Sequence, residues 1–327
     1  MMVERKWPVN LQEKDRWLFE HELQLHIDEP KVLHVHHLLA DAGLGFANRR
    51  KGQKELAYNN IFFKAGYAVI LKHLLSGRLA IINRARAIIT DGWSNGYFHW
   101  LMDCLPRLVV LENACIHVPL VLPAFLQDQP YVKESLSILG KKDFQFLQKG
   151  NWYYAESLHF PVHLAPTGNY NEVIMQQLRT KMTAGNAQKP TRKIYISRNR
   201  ATRRKIENEA DILPVLSKLG FTTIYCDNIT FEEQVQIFST TKYLVSNHGA
   251  GLSNMLFMPA GGAVIELRKK GDNHNNCYFS LASALNLDYY YLQCDPVNEL
   301  EDAHIANIMV DVIEFQEQLN GMLQKHN

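Results

Sequence analysis

Short apolar runs of strand length alternate with segments of helical period along most of this chain, and the alternation grows more regular toward the C-terminus. Residues 67–71 (YAVIL), 79–82 (LAII) and 86–90 (RAIIT) have the length and aliphatic content of buried strands. After a turn at Asp91-Gly92, the residues Tyr97, Leu101, Leu105 and Leu108 recur on one helix face up to Glu112. Pro106 lacks an N–H and is expected to kink or interrupt that helix. A strand is predicted over 117–123, a helix over 131–140 stopped by Gly140, strand-like alternation over 144–164, and a helix from Asn171 to about Thr183. The polar stretch 185–193 (GNAQKPTRK) reads as a linker, so the predicted domains are 1–186 and 187–327. Residues 1–66 show no clear period.

Beyond the linker the order is cleaner. Strands are predicted at 194–197 (IYIS), 222–225 (TTIY), 243–246 (YLVS), 263–267 (AVIEL) and 288–292 (DYYYL), with helices within 208–219, from Phe231 and around 277–286. Thr230 and Glu233 have the spacing of a capping box, ahead of a face made by Phe231, Val235 and Phe238. This βαβαβαβαβ order calls for a parallel doubly wound sheet. Residues 299–323 read as a final amphipathic helix.

A chain of 327 residues with 46% hydrophobic and 21% charged residues is long enough for two globular domains. No apolar run reaches the roughly 18 residues a membrane helix needs, and the N-terminal segment MMVERKWPVNLQEKDRW lacks the apolar core of a secretory signal. Five cysteines at 104, 115, 226, 277 and 294 show neither zinc spacing nor a disulfide framework, which suits a reducing cytoplasm. The net charge of +2 gives no global anion preference, so any such preference must be local.

Two local signals stand on the C-terminal sheet. Strand 243–246 runs into Ser246-Asn247-His248-Gly249-Ala250-Gly251, a turn at which backbone can approach a ligand and the N–H groups of the next helix, from Leu252 on, point at an anion. His248 would stand beside that anion as a donor, and Glu266 could accept hydrogen bonds from ribose hydroxyls. The second signal, Ser197-Arg198-Asn199-Arg200-Ala201-Thr202-Arg203-Arg204-Lys205, puts five cations just past the end of strand 194–197, where open α/β sheets bind ligands. Both fit a nucleoside diphosphate. The dinucleotide pattern Gly-x-Gly-x-x-Gly and the P-loop pattern Gly-x-x-x-x-Gly-Lys-Ser/Thr are both missing; the alternatives for the cations are a solvated loop or a nucleic-acid patch, the latter disfavoured because a strongly basic domain and interleaved aromatics are lacking.

In the N-terminal half, His34, His36 and His37 suggest either a metal site or a strand's polar face. Gly92-Trp93-Ser94-Asn95-Gly96 matches the nucleophile elbow of α/β-hydrolases, with Ser94 as nucleophile, although His248-Gly249-Ala250-Gly251 follows it where an oxyanion loop should precede it. His99, Asp103 and Arg107, four apart, form a polar stripe along the predicted helix.

Taken together, Asn95-Gly96-Tyr97-Phe98-His99-Trp100-Leu101-Met102-Asp103-Cys104-Leu105-Pro106-Arg107-Leu108, then Ile196-Ser197-Arg198 with Arg203-Arg204, then His248-Gly249-Ala250-Gly251-Leu252-Ser253-Asn254, resemble glycosyltransferase family 61, whose bacterial members include proteins of capsular polysaccharide biosynthesis. The resemblance covers roughly residues 90–295. It implies an α/β, GT-B-like fold of two Rossmann-like domains facing across a cleft, and inverting transfer from a nucleotide sugar, UDP-linked by expectation, to a saccharide or glycolipid acceptor. A lipid-linked acceptor would bring peripheral membrane contact at the inner face.

The donor would be held by Ser197, Arg198, Arg203, Arg204, His248, Gly249, Ala250, Gly251, Leu252 and Glu266, with Asn95, Trp100 and Arg107 on the acceptor side. Asp103 is the expected general base and His99 its rival, since Asp103 could instead orient the imidazole; an Asp103–Arg107 helix salt bridge is the purely structural alternative. No Asp-x-Asp occurs, so cations and helix N-termini would replace a divalent ion and no cofactor is expected. The competing functions are a Ser94 hydrolase and a non-catalytic nucleotide-sugar or glycan-binding protein.

Overall fold

A computed structural model describes residues 1–41, 75–77, 79–82, 84–185 and 188–326. The predicted strand 67–71 lies outside them, as does the side chain of His37. The chain forms two compact units, one made of Met1–Ile27 with Thr167–Asn327 and the other of Asp28–Pro166. This differs from the single boundary expected at 186/187 in two ways. The helix α3 (Glu172–Met182) packs on the C-terminal unit, where Arg179 donates to Leu285 O at 2.7 Å, and the N-terminal segment returns to that unit as well.

The N-terminal segment opens with a two-stranded ribbon, β1 (Met2–Glu4) antiparallel to β2 (Gln24–His26). In the unit 28–166, β3 (Val32–Asp41), β4 (Leu79–Ile82), β5 (Arg86–Ala87), β6 (Leu120–Leu122), β7 (Phe144–Phe146) and β8 (Trp152–Pro161) form one sheet of order β3-β8-β5-β6-β7, with β4 also on β8. Among the described strands only β3 runs antiparallel. The helix predicted from Tyr97 is helical throughout but not uniformly α: Tyr97–His99 is α, Trp100–Cys104 is a π turn, and α1 (Leu105–Asn113) resumes with Pro106 in its first turn. A proline there has no N–H for the carbonyl four residues back, and the wider turn absorbs that mismatch without a break. Helix α2 (Pro130–Ile138) follows as expected.

The other unit carries the predicted doubly wound sheet, order β10-β9-β11-β12-β13-β14, from β9 (Arg192–Ile196), β10 (Thr222–Ile224), β11 (Thr241–Asn247), β12 (Ala263–Lys269), β13 (Asp288–Pro296) and β14 (Ile308–Met309). All pairs are parallel except β13 with β14. The crossovers use α4 (Glu209–Lys218), α5 (Phe231–Phe238), a 3-10 segment (Ala250–Phe257) and α6 (Cys277–Ala284). Gly220, at φ 79°, ends α4 in the left-handed conformation that only glycine adopts cheaply. The Thr230–Glu233 capping box is formed in both directions. The final helix α7 is shorter than expected, Val312–Lys325, because residues before it make a turn and the edge strand β14.

Buried Val245, Ile265, Leu267, Tyr290 and Leu292 of the sheet pack with Ile212 and Leu216 of α4 and Phe315 and Leu319 of α7. The N-terminal segment covers the open edge of β13: Val9 N donates to Tyr289 O at 2.8 Å, and the Asn10 side chain bonds both the O and the N of Tyr291. Phe19, fully buried, packs against Phe279, Tyr289 and Tyr291. An unpaired strand edge is thus closed by the chain's own N-terminus.

Candidate functional site

In the unit 28–166, the turn before the π-containing helix is built around Asp91. Its Oδ1 accepts from Trp93 N at 2.8 Å and from Ser94 Oγ at 3.1 Å, while its Oδ2 meets Arg107 Nη2 at 2.6 Å and His163 Nε2 at 2.9 Å. Burial works against the Asp91 charge, but His163 and Arg107 outweigh it and hold the carboxyl well below its usual range. Arg107 also donates to Ile89 O and contacts His163. Being fully buried, it braces the turn instead of facing an acceptor, and it makes no ion pair with Asp103. Trp100 is likewise interior, its indole N–H donating to Ser135 Oγ at 2.9 Å. Asn95 is exposed, its carbonyl accepting from Tyr131 Oη at 2.9 Å.

Ser94 is fully buried and held by Asp91 and by Cys104 Sγ, which donates to its Oγ at 3.0 Å. A hydroxyl with no surface and no imidazole among its partners is not a nucleophile elbow, so the hydrolase reading falls. The brace instead aims the next turn, where His99 Nδ1 lies 2.7 Å from Asp103 Oδ2. The carboxylate is the more buried partner, with its side chain 7% exposed against 25% for the imidazole. Trp93, 56% exposed, has its ring centroid 5.9 Å from that of His99. Of the two tryptophans near the dyad it is therefore the exposed one, whereas Trp100, expected on the acceptor side, is interior. The only sequence signal for Trp93 was its place between Gly92 and Ser94.

In the other unit, the C-terminal ends of β9, β11 and β12 gather the basic loop and the glycine turn. Gly249 has an extended backbone, φ 167°, so conformation does not require glycine there; a Cβ would lie 2.7 Å from Arg198 Cζ, and the guanidinium occupies the space a side chain would take. Gly251 is confined less severely, its virtual Cβ 3.2 Å from an Ile196 methyl. Arg198 donates to the carbonyls of Arg204 and Arg203 at 3.4 and 3.3 Å.

Burial lowers the pKa of both Arg198 and Arg204, and their mutual repulsion adds to the effect on Arg198. Among the described residues neither forms an ion pair. Arg204 adopts φ 54°, a conformation uncommon for a residue with a side chain, and its carbonyl accepts from Asn247 Nδ2. Arg204, Asn247, His248, Lys269 and Asp272 line one pocket, and two of its polar atoms, Arg204 Nε and Asn247 Oδ1, are buried without a hydrogen-bond partner. Such atoms are costly unless a ligand completes them.

Three predicted donor residues point elsewhere. Ser197 is buried and donates to Glu209 Oε1 at 2.7 Å, tying β9 to α4. The Leu252 side chain is in the core and its N–H closes the first 3-10 turn onto Gly249 O. Glu266 has no exposed surface: His248 Nδ1 lies 2.5 Å from Oε1 and Tyr289 Oη donates to Oε2 at 2.6 Å, which leaves no face for ribose. Arg203 is exposed.

His34 and His36 share one face of β3. His34 contacts Ser157 Oγ at 2.7 Å and its ring stacks on that of His159 at 4.3 Å, faces parallel, so the ring nitrogens do not converge. Among the described residues no group of three or more His, Cys, Asp or Glu is arranged to hold a metal ion, and no helix is long and apolar enough to cross a membrane.

A parallel sheet whose C-terminal edge gathers desolvated guanidiniums without ion-pair partners, together with a His–Asp dyad elsewhere in the chain, offers anion-binding and proton-transfer groups of the kind a group-transfer enzyme uses. The chain belongs to glycosyltransferase family 61: the family pattern, described as Glycosyltransferase 61, matches residues 97–265 and so includes the dyad, the Arg198–Arg204 loop and the glycine turn. It is therefore a glycosyltransferase. Similar proteins include the protein O-linked-mannose beta-1,4-N-acetylglucosaminyltransferase 2 of Takifugu rubripes, 30% identical over 234 residues, which are 64% of this chain and 36% of that one. The enzyme of the same name from Xenopus tropicalis is 27% identical over 208 residues (58% and 36%), and that from Bos taurus 29% over 179 residues (50% and 31%). The chain thus spans about a third of the length of these relatives.

Proposed function

We propose that the chain transfers a sugar from a nucleoside-diphosphate donor, UDP-linked, to a hydroxyl of a saccharide acceptor with inversion, its two units following the GT-B plan. The observation that carries this reading is the pair Arg198 and Arg204: two desolvated guanidiniums without carboxylate partners, beside a glycine cleared for one of them and two orphaned polar atoms. They suit the charge that grows on the diphosphate as the anomeric C–O bond breaks. The relatives' N-acetylglucosaminyl transfer supports an N-acetylhexosamine as the sugar, and their beta linkage agrees with inversion. A surface-polysaccharide acceptor, lipid-linked at the inner membrane face, is the biological setting we propose.

The attacking hydroxyl must lose a proton as its oxygen bonds to the anomeric carbon. We assign that proton to His99, oriented by the more buried Asp103, and give Trp93 the sugar face of the acceptor. This reverses the order expected from the sequence, where Asp103 was the base. With cations positioned for the diphosphate, transfer is proposed to need no divalent ion.

Calorimetry with UDP, GDP, CDP and their sugars tests the reading. UDP is expected to bind the wild type and to bind Arg198→Ala about tenfold or more weakly. Turnover with a UDP-sugar is expected to persist in EDTA. Failure of every nucleotide to bind would remove the donor site, and recovery of lost turnover on adding manganese would reveal a metal.

A further inference from the structure

The buried groups behind His248 form a hydrogen-bonded chain that starts at Arg268 and ends at Glu266. Arg268, 1% exposed, donates to Asn276 Oδ1 at 3.0 Å, to Asp272 O at 2.5 Å and to Tyr289 Oη at 3.4 Å, while its guanidinium lies over the Phe19 ring at 5.2 Å. A guanidinium can only donate, so the Tyr289 oxygen accepts from it and its own O–H goes to Glu266 Oε2. Burial, with Glu266 nearby, raises the Tyr289 phenol well above its usual range and keeps that proton in place. Burial opposes the Arg268 charge too, but Tyr289, Glu266 and Asp272 outweigh it and keep the guanidinium charged. A carboxylate is acceptor-only, and with Oε2 taken by the Tyr289 hydroxyl the contact at Oε1 suits His248 Nδ1–H as the donor.

We propose that Glu266, braced by Tyr289, is the positioning residue for His248: it fixes Nδ1 inward as a donor and presents Nε2 to the diphosphate of the bound nucleotide, where the ring takes up a second proton. The proposal rests on the donor-site reading above. Between two anions, the carboxylate behind and the phosphate in front, both ring nitrogens are donors and the ring is a cation. In the unit that holds it, the ring is faced by Glu266 and Lys269 of β12, Arg204 of the basic loop, Asp272 of the turn after β12, and Tyr278 of α6 with ring centroids 5.0 Å apart. Arg198 lies over the adjacent Gly249. Arg204 and Lys269 oppose a cation at this place, and a carboxylate directly on Nδ1 is the feature that offsets them. A glutamate with no exposed surface in the middle of an apolar strand serves His248 in this account, not ribose.

The test reads protons. Binding of UDP to the wild type, measured by calorimetry in two buffers of different ionisation enthalpy near neutral pH, is expected to take up a substantial fraction of one proton. Nitrogen-15 spectra of the histidine rings, with His248 assigned by its loss in His248→Gln, are expected to show Nδ1–H in the free protein and both nitrogens protonated with UDP. Glu266→Gln, which keeps the shape and loses the charge, should abolish the uptake, shift the His248 tautomer and weaken UDP about 10- to 100-fold. His248→Gln should do the same to uptake and affinity, and the double variant should be no worse than His248→Gln alone.

Unchanged uptake in either single variant, or additive losses in the double one, overturns the proposal. If Glu266→Gln does not fold, the uptake in His248→Gln still decides. If no nucleotide binds the wild type, the donor-site reading fails. The ring spectrum of the free protein then still shows whether Glu266 fixes Nδ1: a ring protonated at Nε2 alone refutes that hold.

Discussion

Gly249 allows the donor site to be tested without touching its chemistry. Its extended backbone suits alanine, but the new Cβ would sit 2.7 Å from Arg198 Cζ, so the guanidinium must swing away from the place where both of its carbonyl partners hold it. One charge-assisted hydrogen bond is worth about 1.5–3 kcal/mol, which predicts that Gly249→Ala weakens UDP about 10- to 150-fold. Arg198→Ala should cost the same amount by removing the group itself. Because both changes act on one interaction, the losses should not add: in an Arg198→Ala background, Gly249→Ala is expected to cost less than about 0.5 kcal/mol, or about twofold in dissociation constant. The four dissociation constants come from calorimetry, with thermal melts to confirm that each variant folds. Additive losses would refute the reasoning, since the glycine would then be serving the backbone or another group.

The dyad is tested by turnover against binding. His99→Gln is expected to lower kcat about 10²- to 10⁴-fold with UDP affinity unchanged, and Asp103→Asn to lower it by a smaller factor; retention of most activity by His99→Gln alone would return the base to Asp103. The Asp91 brace is tested by stability. Asp91→Asn leaves Arg107 buried without its counter-charge and should cost about 3–5 kcal/mol in urea unfolding. Because the Asp91 pKa is depressed on folding, its contribution is full above the unfolded carboxylate value of about 3.9 and is lost as pH falls below it. The wild type should therefore lose stability in acid more steeply than Asp91→Asn, and parallel curves would contradict the assignment.

The C-terminal sheet was legible because parallel strands buried on both faces write continuous apolar runs, and the capping box and Gly220 punctuate them. That the basic loop and the glycine turn would meet at one sheet edge was legible because both follow strand ends. What the sequence hid were matters of direction and long-range contact. The Glu266 side chain could point to solvent or inward, and only the register of β12 beside β13, which pairs Glu266 with Tyr291, brings Tyr289 within reach. Trp93 and Trp100 lie seven residues apart, yet one is exposed and the other sealed, because Trp93 sits in the turn before the helix and Trp100 opens its buried π segment. The strand period of buried Ala306, Ile308 and Val310 was masked by the amphipathic run around it. Nothing local in residues 1–27 announces that Phe19 belongs with residues 279–291.

That N-terminal segment makes the smaller unit, Asp28–Pro166, an insertion within the larger one. Simple truncation before Thr167 would therefore not excise a donor-binding module. It would strip Val9 and Asn10 from β13, empty the pocket of Phe19 and uncover one face of Arg268, two hydrogen-bonded steps from Glu266. A fragment meant to hold the whole larger unit must carry residues 1–27 joined to 167–327 across the gap. Tolerance to change should follow the same seam: swapping the inserted unit for that of a relative disturbs two crossings of the chain, whereas trimming the N-terminus disturbs the core behind His248.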